Sequence, residues 1–291
     1  TIRKPGSTIT TVDGASHSTG SYGISMALDG TGGQHISYYN SSASSLMYAK
    51  FDGSSWWGEE VDNGGASGQY SSIAIDSSGN PHISYVNSTP TPDAVMYAYH
   101  NGTAWTIEVI DATPYYAYDT SIDLDSSGNA HITYQVYNNS CGSCYNLRYS
   151  HHNGSDWVYE DIKDYSSNWG YSNTGKNNQI KLNSTDVPHV VFFDDYYDDV
   201  YISIRVNGSW SSSSVDDNGG MYASYGERAI SLAIDSTDAL HVAYYDIGGR
   251  FLEYAHRGIG DSSWTETKVH DQGNHYIGTS ISIAVDSADR P

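Results

Sequence analysis

The sequence predicts an all-β chain, a β-propeller of four-stranded antiparallel blades, with five complete blades and a sixth split between the N- and C-terminal ends. Three observations predict it. A hairpin built around one histidine recurs at His35, His82, His131, His189 and His241, spaced 47, 49, 58 and 52 residues apart. A second hairpin with a tryptophan at a fixed place follows in every copy. No segment between them has a helical period. Four antiparallel strands that are apolar or small on both faces suit sheets packed radially against their neighbours.

The first hairpin, strands a and b, reads Ile24–Tyr39, Ser72–Val86, Ser121–Gln135, Gln179–Phe193 and Ser231–Tyr245. Alternation of period two runs on both sides of an Asp-Ser-x-Gly-type turn, the pattern of a β-hairpin. Strand c follows at Met47–Phe51, Val95–His100, Leu147–His152, Tyr201–Val206 and Leu252–Arg257. Its turn is Asp52-Gly53, Asn101-Gly102, Asn153-Gly154 or Asn207-Gly208, pairs favoured where both central residues need positive φ. Strand d opens on Trp56, Trp105, Trp157, Trp210 or Trp264, and five residues later carries Val61, Ile110, Ile162, Val215 or Val269. The blades so defined span 23–62, 71–111, 120–163, 178–216 and 229–270.

The two ends supply parts of a further copy. Residues 1–13 contain STITTVD, which matches strand d with Val12 in the Val61 position, and residues 279–291 match strand a but stop where the histidine belongs. The expectation is a piece of a longer protein, or a blade completed by another chain through strand addition at its open edge.

At Ser72–Tyr85 the hairpin is similar to NHL-type propeller repeats, which carry a like apolar-Asp-x-x-Gly-Asn-apolar pattern, and it resembles the BNR-like repeats of microbial surface proteins. That resemblance covers all five copies and implies architecture. It departs from the sialidase Asp-box, since Asp76 and Gly79 stand three apart and His82 follows.

Charge and composition narrow function. A net charge of −21 with 13 Lys+Arg cannot neutralise a phosphate backbone or an anionic membrane surface, so no nucleic acid and no membrane insertion are expected. Seven N-x-[ST] sequons, at Asn40, Asn87, Asn101, Asn138, Asn153, Asn183 and Asn207, are candidates for N-glycosylation and point outside the cell or to its surface. Cys141 and Cys144 read as a local loop disulfide in that setting. A redox dithiol lacks its βαβ surroundings, and two cysteines do not make a zinc site.

The repeated histidine with its upstream acid (Asp29/His35, Asp76/His82, Asp125/His131, Asp235/His241) reads as a hairpin lock in preference to a metal ring, because what recurs in every blade serves the blade. Asn183 replaces the acid in copy four. The tryptophans read as packing residues, and Glu108, Glu160 and Glu266 as outer-strand surface groups. Variable loops are better sites. The d–a connections carry Tyr22, Tyr70, Tyr116, Tyr118, Trp169, Tyr171, Tyr222, Tyr225 and Tyr276, a rim of flat rings among short polar groups that suits sugars or protein surfaces. Asp194, Asp195, Asp198 and Asp199 crowd one b–c loop, where calcium is the cation that would bridge them; no cofactor is otherwise required. With no Gly-x-Ser-x-Gly elbow and no His-Glu-x-x-His, the expectation is a non-catalytic propeller that recognises glycans or surface polymers through this rim. A glycosylated structural subunit that binds copies of itself is the alternative, and a glycan-active hydrolase the second.

Overall fold

In the computed structural model the described residues are 11–12, 23–89, 92–138, 144–153, 155–163, 174–194, 199–216, 229–246, 251–271 and 280–291. They form twenty strands and no helix. Blade one holds β1 (Ile24–Leu28), β2 (Gln34–Asn40), β3 (Ser45–Phe51) and β4 (Trp56–Asp62). Blade two holds β5 (Ser67–Ile75), β6 (Pro81–Asn87), β7 (Ala94–His100) and β8 (Trp105–Asp111). Blade three holds β9 (Ala117–Leu124), β10 (Ala130–Asn138), β11 (Cys144–His152) and β12 (Trp157–Lys163). Blade four holds β13 (Thr174–Leu182), β14 (Pro188–Asp194), β15 (Asp199–Val206) and β16 (Ser209–Ser214). Blade five holds β17 (Ile230–Ile234), β18 (Leu240–Asp246), β19 (Phe251–Arg257) and β20 (Thr265–Asp271). Each set is one antiparallel sheet in sequential order, so the chain is a β-propeller.

The apolar core is divided among the blade interfaces. Leu46, Tyr48 and Val61 of blade one pack on Ile73, Ile83 and Tyr85 of blade two. The same d-strand landmark leads the next three clusters: Ile110 against blade three, Ile162 against blade four and Val215 against blade five. On the sheet face of blade one that has no such neighbour among the described residues, Ile24, Met26 and Leu28 are 58–60% exposed, whereas Ile73, Ile122, Ile180 and Leu232, which match Met26 in the repeat, are at most 6% exposed.

A second set of contacts joins the blades by hydrogen bonds. The side chain ten residues before each histidine accepts the backbone N–H of the next blade's inner strand. Ile73 N donates to Ser25, Ile122 N to Ser72, Ile180 N to Ser121, Leu232 N to Gln179, and Ile283 N to Ser231. Residues 280–291 thus take the place of an inner strand beside blade five, although none of them is assigned to a strand. The outer strands are tied by tryptophan. Trp105, Trp157 and Trp210 lie edge-on to Tyr48, Tyr97 and Tyr149 of the preceding blade, at 5.1–5.3 Å between centroids. Their indole N–H groups donate to Glu59, Glu108 and Glu160. Glu108 and Glu160 are therefore not idle surface groups as their strand position suggested. Blade four has Ser213 in that place, and the Trp264 N–H it would have met is buried without a partner.

The a–b turns add a third tie. Gly32, Gly79 and Gly128 hold positive φ there, and the matching residues of the later copies are Asp186, Asp238 and Asp289 at φ 57–63°. Each aspartate accepts the N–H and the hydroxyl of a serine in the preceding blade, from Ser126, Ser184 and Ser236 respectively. A left-handed backbone that glycine adopts freely is here held by an inter-blade clasp.

Ser121→Ala leaves the buried Ile180 amide without its acceptor. Such a loss costs about 1–3 kcal/mol. The midpoint of urea unfolding should fall accordingly, and an unchanged midpoint would mean that water replaces the hydroxyl at no cost.

Candidate functional site

The inner strands converge on an axial cavity of about 300 Å³. Three positions of each repeat build it, twelve, eleven and ten residues before the histidine. In blades two to four these are Tyr70-Ser71-Ser72, Asp119-Thr120-Ser121 and Asn177-Asn178-Gln179; in blade one they are Gly23-Ile24-Ser25. Ala229, Ile230, Ser280 and Ile281 close the remaining wall. One side is polar, the other apolar.

The polar side is strained. Tyr70, Asp119 and Asn177 occupy the same repeat position and share φ values of 50–53°, where blade one has Gly23. Inner strands β5, β9 and β13 each slip register at this point, a bulge that turns the residue out of the ladder. Positive φ is costly for a residue with a side chain, most of all a bulky one, and persists where surrounding structure enforces it. The enforcement is visible. Thr120 Oγ1 donates to the Tyr70 carbonyl at 2.6 Å, and Asn178 Nδ2 donates to the Asp119 carbonyl at 2.7 Å. The Asn177 amide donates to Asp119 Oδ2 at 3.1 Å, which aims that carboxylate along the cavity wall. Beneath them the hydroxyls of Ser37 and Ser71, and of Ser84 and Thr120, meet at 3.0 and 2.9 Å, and Thr133 donates to Asn178.

From Tyr70 a ladder of tyrosines leads outward over the rim of blades two and three. Tyr70 meets Tyr118 at 5.6 Å between centroids, Tyr118 meets Tyr145 at 5.9 Å, and Tyr145 meets Tyr137 at 5.2 Å. Tyr116 lies 5.9 Å from Tyr137 and 4.7 Å from Tyr115. Tyr115 and Tyr116 are 47% and 40% exposed, so the ladder's outer end presents ring surface to solvent. Asp93 lies beside it, 5% exposed, with one oxygen accepting the Ala117 amide; burial raises its pKa. Of the rim residues expected from the sequence, Tyr70, Tyr116 and Tyr118 are thus brought together, joined by Tyr115, Tyr137 and Tyr145, which that reading missed. Tyr22, Trp169, Tyr171, Tyr222, Tyr225 and Tyr276 lie outside the described residues.

The other expected sites are placed as follows. Asp194 and Asp199 face each other across the start of the β14–β15 hairpin, Asp194 fully buried, while Asp195 and Asp198 lie outside the described residues, as does Cys141. Cys144 and Asn138 pair in the β10–β11 ladder. Asn101, Asn153 and Asn207 are exposed at the c–d turns. Asn87 is half-buried, its Nδ2 donating to the Gly64 carbonyl. Asn40 is 3% exposed, its oxygen capping the amides of Ser42 and Ala43, and the oxygen of Asn183 caps Thr185 and Val187.

The histidines lie at the opposite end of the blades, by the a–b turns. Nδ1 of His35, His82, His131 and His241 is 2.5–2.7 Å from the hydroxyl of Tyr48, Tyr97, Tyr149 and Tyr254 on strand c. Nε2 faces the turn aspartate at 3.3, 3.7, 3.7 and 3.0 Å. Blade four lacks both partners, having Asn183 and Ile202, and His189 Nδ1 donates to the Val187 carbonyl. The tyrosines of the first three locks are those that receive the tryptophans, so each lock continues into the next blade. Trp56 stacks within its own blade on Phe51, and Trp264 lies under the Arg257 guanidinium at 4.7 Å.

No protein-family model and no curated protein matches the chain. Solved structures do. The chain is similar to the α-L-arabinofuranosidase Arb93A of Fusarium graminearum in complex with an iminosugar inhibitor (13% identity, 91% of this chain and 84% of that one, TM-score 0.60). It is similar to the α-L-arabinanase of Penicillium chrysogenum complexed with arabinobiose (10% identity, 91% and 85%, TM-score 0.60). It is also similar to the Hadza microbial sialidase Hz136 (10% identity, TM-score 0.57), of whose length it spans 58% while 84% of this chain is covered. At such identity the likeness is one of fold, and it places the NHL- and BNR-like resemblance at the level of propeller architecture.

These likenesses correct the expectation of a non-catalytic chain. All three neighbours are named as glycan-active enzymes, so this architecture is one that carries catalysis, and the absent motifs do not argue against it here. Glycoside hydrolysis needs two placed carboxyl groups, which different repeats can supply with no contiguous signature.

Burial pushes the imidazoles of His35, His82, His131 and His189 below their ordinary value. A histidine whose folded pKa is depressed binds fewer protons folded than unfolded, so stability is lost as pH falls from about 6.5 toward the folded values. Asp29 is held low by the Thr31 hydroxyl, then by the Gly33 and Thr31 amides, and its contribution survives until far more acid pH. Urea midpoints should therefore drop between pH 7.5 and pH 5.5, with carboxylate losses following below about pH 4. A flat profile across the first window would show that these imidazoles take up protons as readily in the folded chain as in the unfolded one.

Proposed function

We propose that the chain is a glycan-active hydrolase that takes a neutral saccharide in the axial cavity and guides its polymer along the tyrosine ladder. The observation that carries this reading is the divergence of one repeated position. Tyr70, Asp119 and Asn177 stand in strained backbone at the cavity wall, each a different chemistry, where blade one has a glycine. A purely structural position would keep the cheapest residue; strain retained in three neighbouring blades argues for use.

The chemistry follows from carboxyl groups of unequal proton affinity. Asp119 lines the cavity, oriented by the Asn177 amide, and supplies the ionised carboxylate. Asp93, buried beside the ladder outside the cavity lining and raised by that burial, is the carboxyl proposed to keep its proton to higher pH. The side chains of Asn177 and Gln179 add polar groups to the lining. Among the described residues the cavity lining holds neither lysine nor arginine, and its polar groups suit an uncharged sugar. The enzymatic neighbours of the same architecture support the reading, and the exposed sequons support a secreted or surface setting.

Reducing-sugar release from neutral polysaccharides and chromogenic glycosides tests the proposal. Turnover is expected with at least one neutral substrate class, and Asp119→Asn should lower kcat by roughly 10²–10⁴-fold without moving the unfolding midpoint. No turnover across the panel removes the reading. Tyr116→Ala should raise KM for polymeric substrate several-fold and leave small chromogenic glycosides unaffected, since ring stacking contributes about 1 kcal/mol per contact.

A further inference from the structure

Blade five differs from its neighbours at the lock. Across from each histidine, on strand c, stands Lys50 in blade one, Tyr99 in blade two, His151 in blade three, Ile204 in blade four and His256 in blade five. In blade three the two imidazoles lie 6.0 Å apart at 19° and Asp125 stands 3.7 Å off, and these three do not gather within 4.8 Å of one another. In blade five the rings approach to 4.9 Å and tilt by 55°, and Asp235 Oδ2 is 3.0 Å from His241 Nε2. One ligand atom each of Asp235, His241 and His256 lies within 4.8 Å of the others, the only such group among the described residues.

We infer that Asp235, His241 and His256 form a site for a divalent transition-metal ion, zinc by its donor set. Two nitrogens and one carboxylate oxygen are the donors of a tetrahedral zinc site whose fourth place is taken by water. Donors bound at 2.0–2.1 Å in a tetrahedron stand about 3.3 Å apart, so the Asp235–His241 pair is already set and His256 needs a small rotation. The supporting shell is also in place. Asp235 Oδ1 accepts the Thr237 amide, the Thr237 hydroxyl and the Ala239 amide at 2.8–2.9 Å, leaving Oδ2 for the ion. The Tyr254 hydroxyl lies 2.7 Å from His241 Nδ1, placed to accept an N–H there when Nε2 holds the ion.

The site lies by the a–b turn, at the far end of the blade from the cavity, and does not depend on the proposed catalysis. Its ion would staple three strands of the blade whose tryptophan has no glutamate to meet.

The test uses the whole chain, stripped with chelator and dialysed, then titrated with Zn²⁺ by calorimetry and with Co²⁺ by visible absorption. One equivalent of Zn²⁺, a tetrahedral Co²⁺ band and a rise in Tm of about 5 °C at saturating Zn²⁺ are expected. His256→Lys, which installs the residue that blade one carries in the same lock, should keep the fold by circular dichroism and lose the band and the equivalent. His151→Ala should retain both. No Co²⁺ band in the parent chain, or an undiminished one in His256→Lys, overturns the inference.

Discussion

A propeller blade has an inner edge, and an edge strand carries backbone N–H groups that no further strand satisfies. This chain answers with one short polar side chain per repeat, which accepts an amide of the next blade's inner strand. The bond fixes how far one sheet stands from the next and how it is rotated. Everything nearer the axis inherits that geometry. The cavity exists because five such bonds hold five strand ends around it, and the bulges that tilt Tyr70, Asp119 and Asn177 inward begin one or two residues away.

The remaining ties divide the ring in two. Beneath the cavity, blades one to four are linked by Ser37–Ser71, Ser84–Thr120 and Thr133–Asn178, while at the next interface Val191 and Ile230 share an apolar cluster. The turn clasps run the other way, absent where glycine sits and present at Asp186, Asp238 and Asp289. Polar groups thus crowd the wall where the cavity is polar. Where the wall is apolar, the inner-strand bonds through Gln179 and Ser231 remain and the turn clasps at the opposite end join them, while the interface of blades three and four carries both kinds of tie.

Much of this was written in the sequence in one direction only. The period, the hairpins, the Asn-Gly turns and the histidine column are relations within a blade, and a repeat displays them by recurring. The cavity is a relation between blades, among residues about fifty apart whose side chains differ, so nothing recurs to mark it. Glu108 illustrates the loss: on its own strand it reads as a solvated acid, and only the next blade's Trp157 shows what it accepts. The strained backbone at Tyr70 was marked only by Gly23 in the same column of blade one. Gly79 and Asp186 stand in one alignment column, so the aspartate clasps had a signal that went unread. Contiguous signatures such as Gly-x-Ser-x-Gly mark a nucleophile on one loop, whereas carboxyl groups drawn from different blades leave no such signature.

The three-residue segments that build the cavity can be considered as an alphabet. Each blade contributes one word to a common chamber, and the last letter of the word holds the next blade's inner strand. A substitution at the first letter rewrites one wall while that last letter goes on holding the neighbouring strand. Lineages carrying such a chamber can therefore explore new ligands one blade at a time, by small steps that leave folding intact.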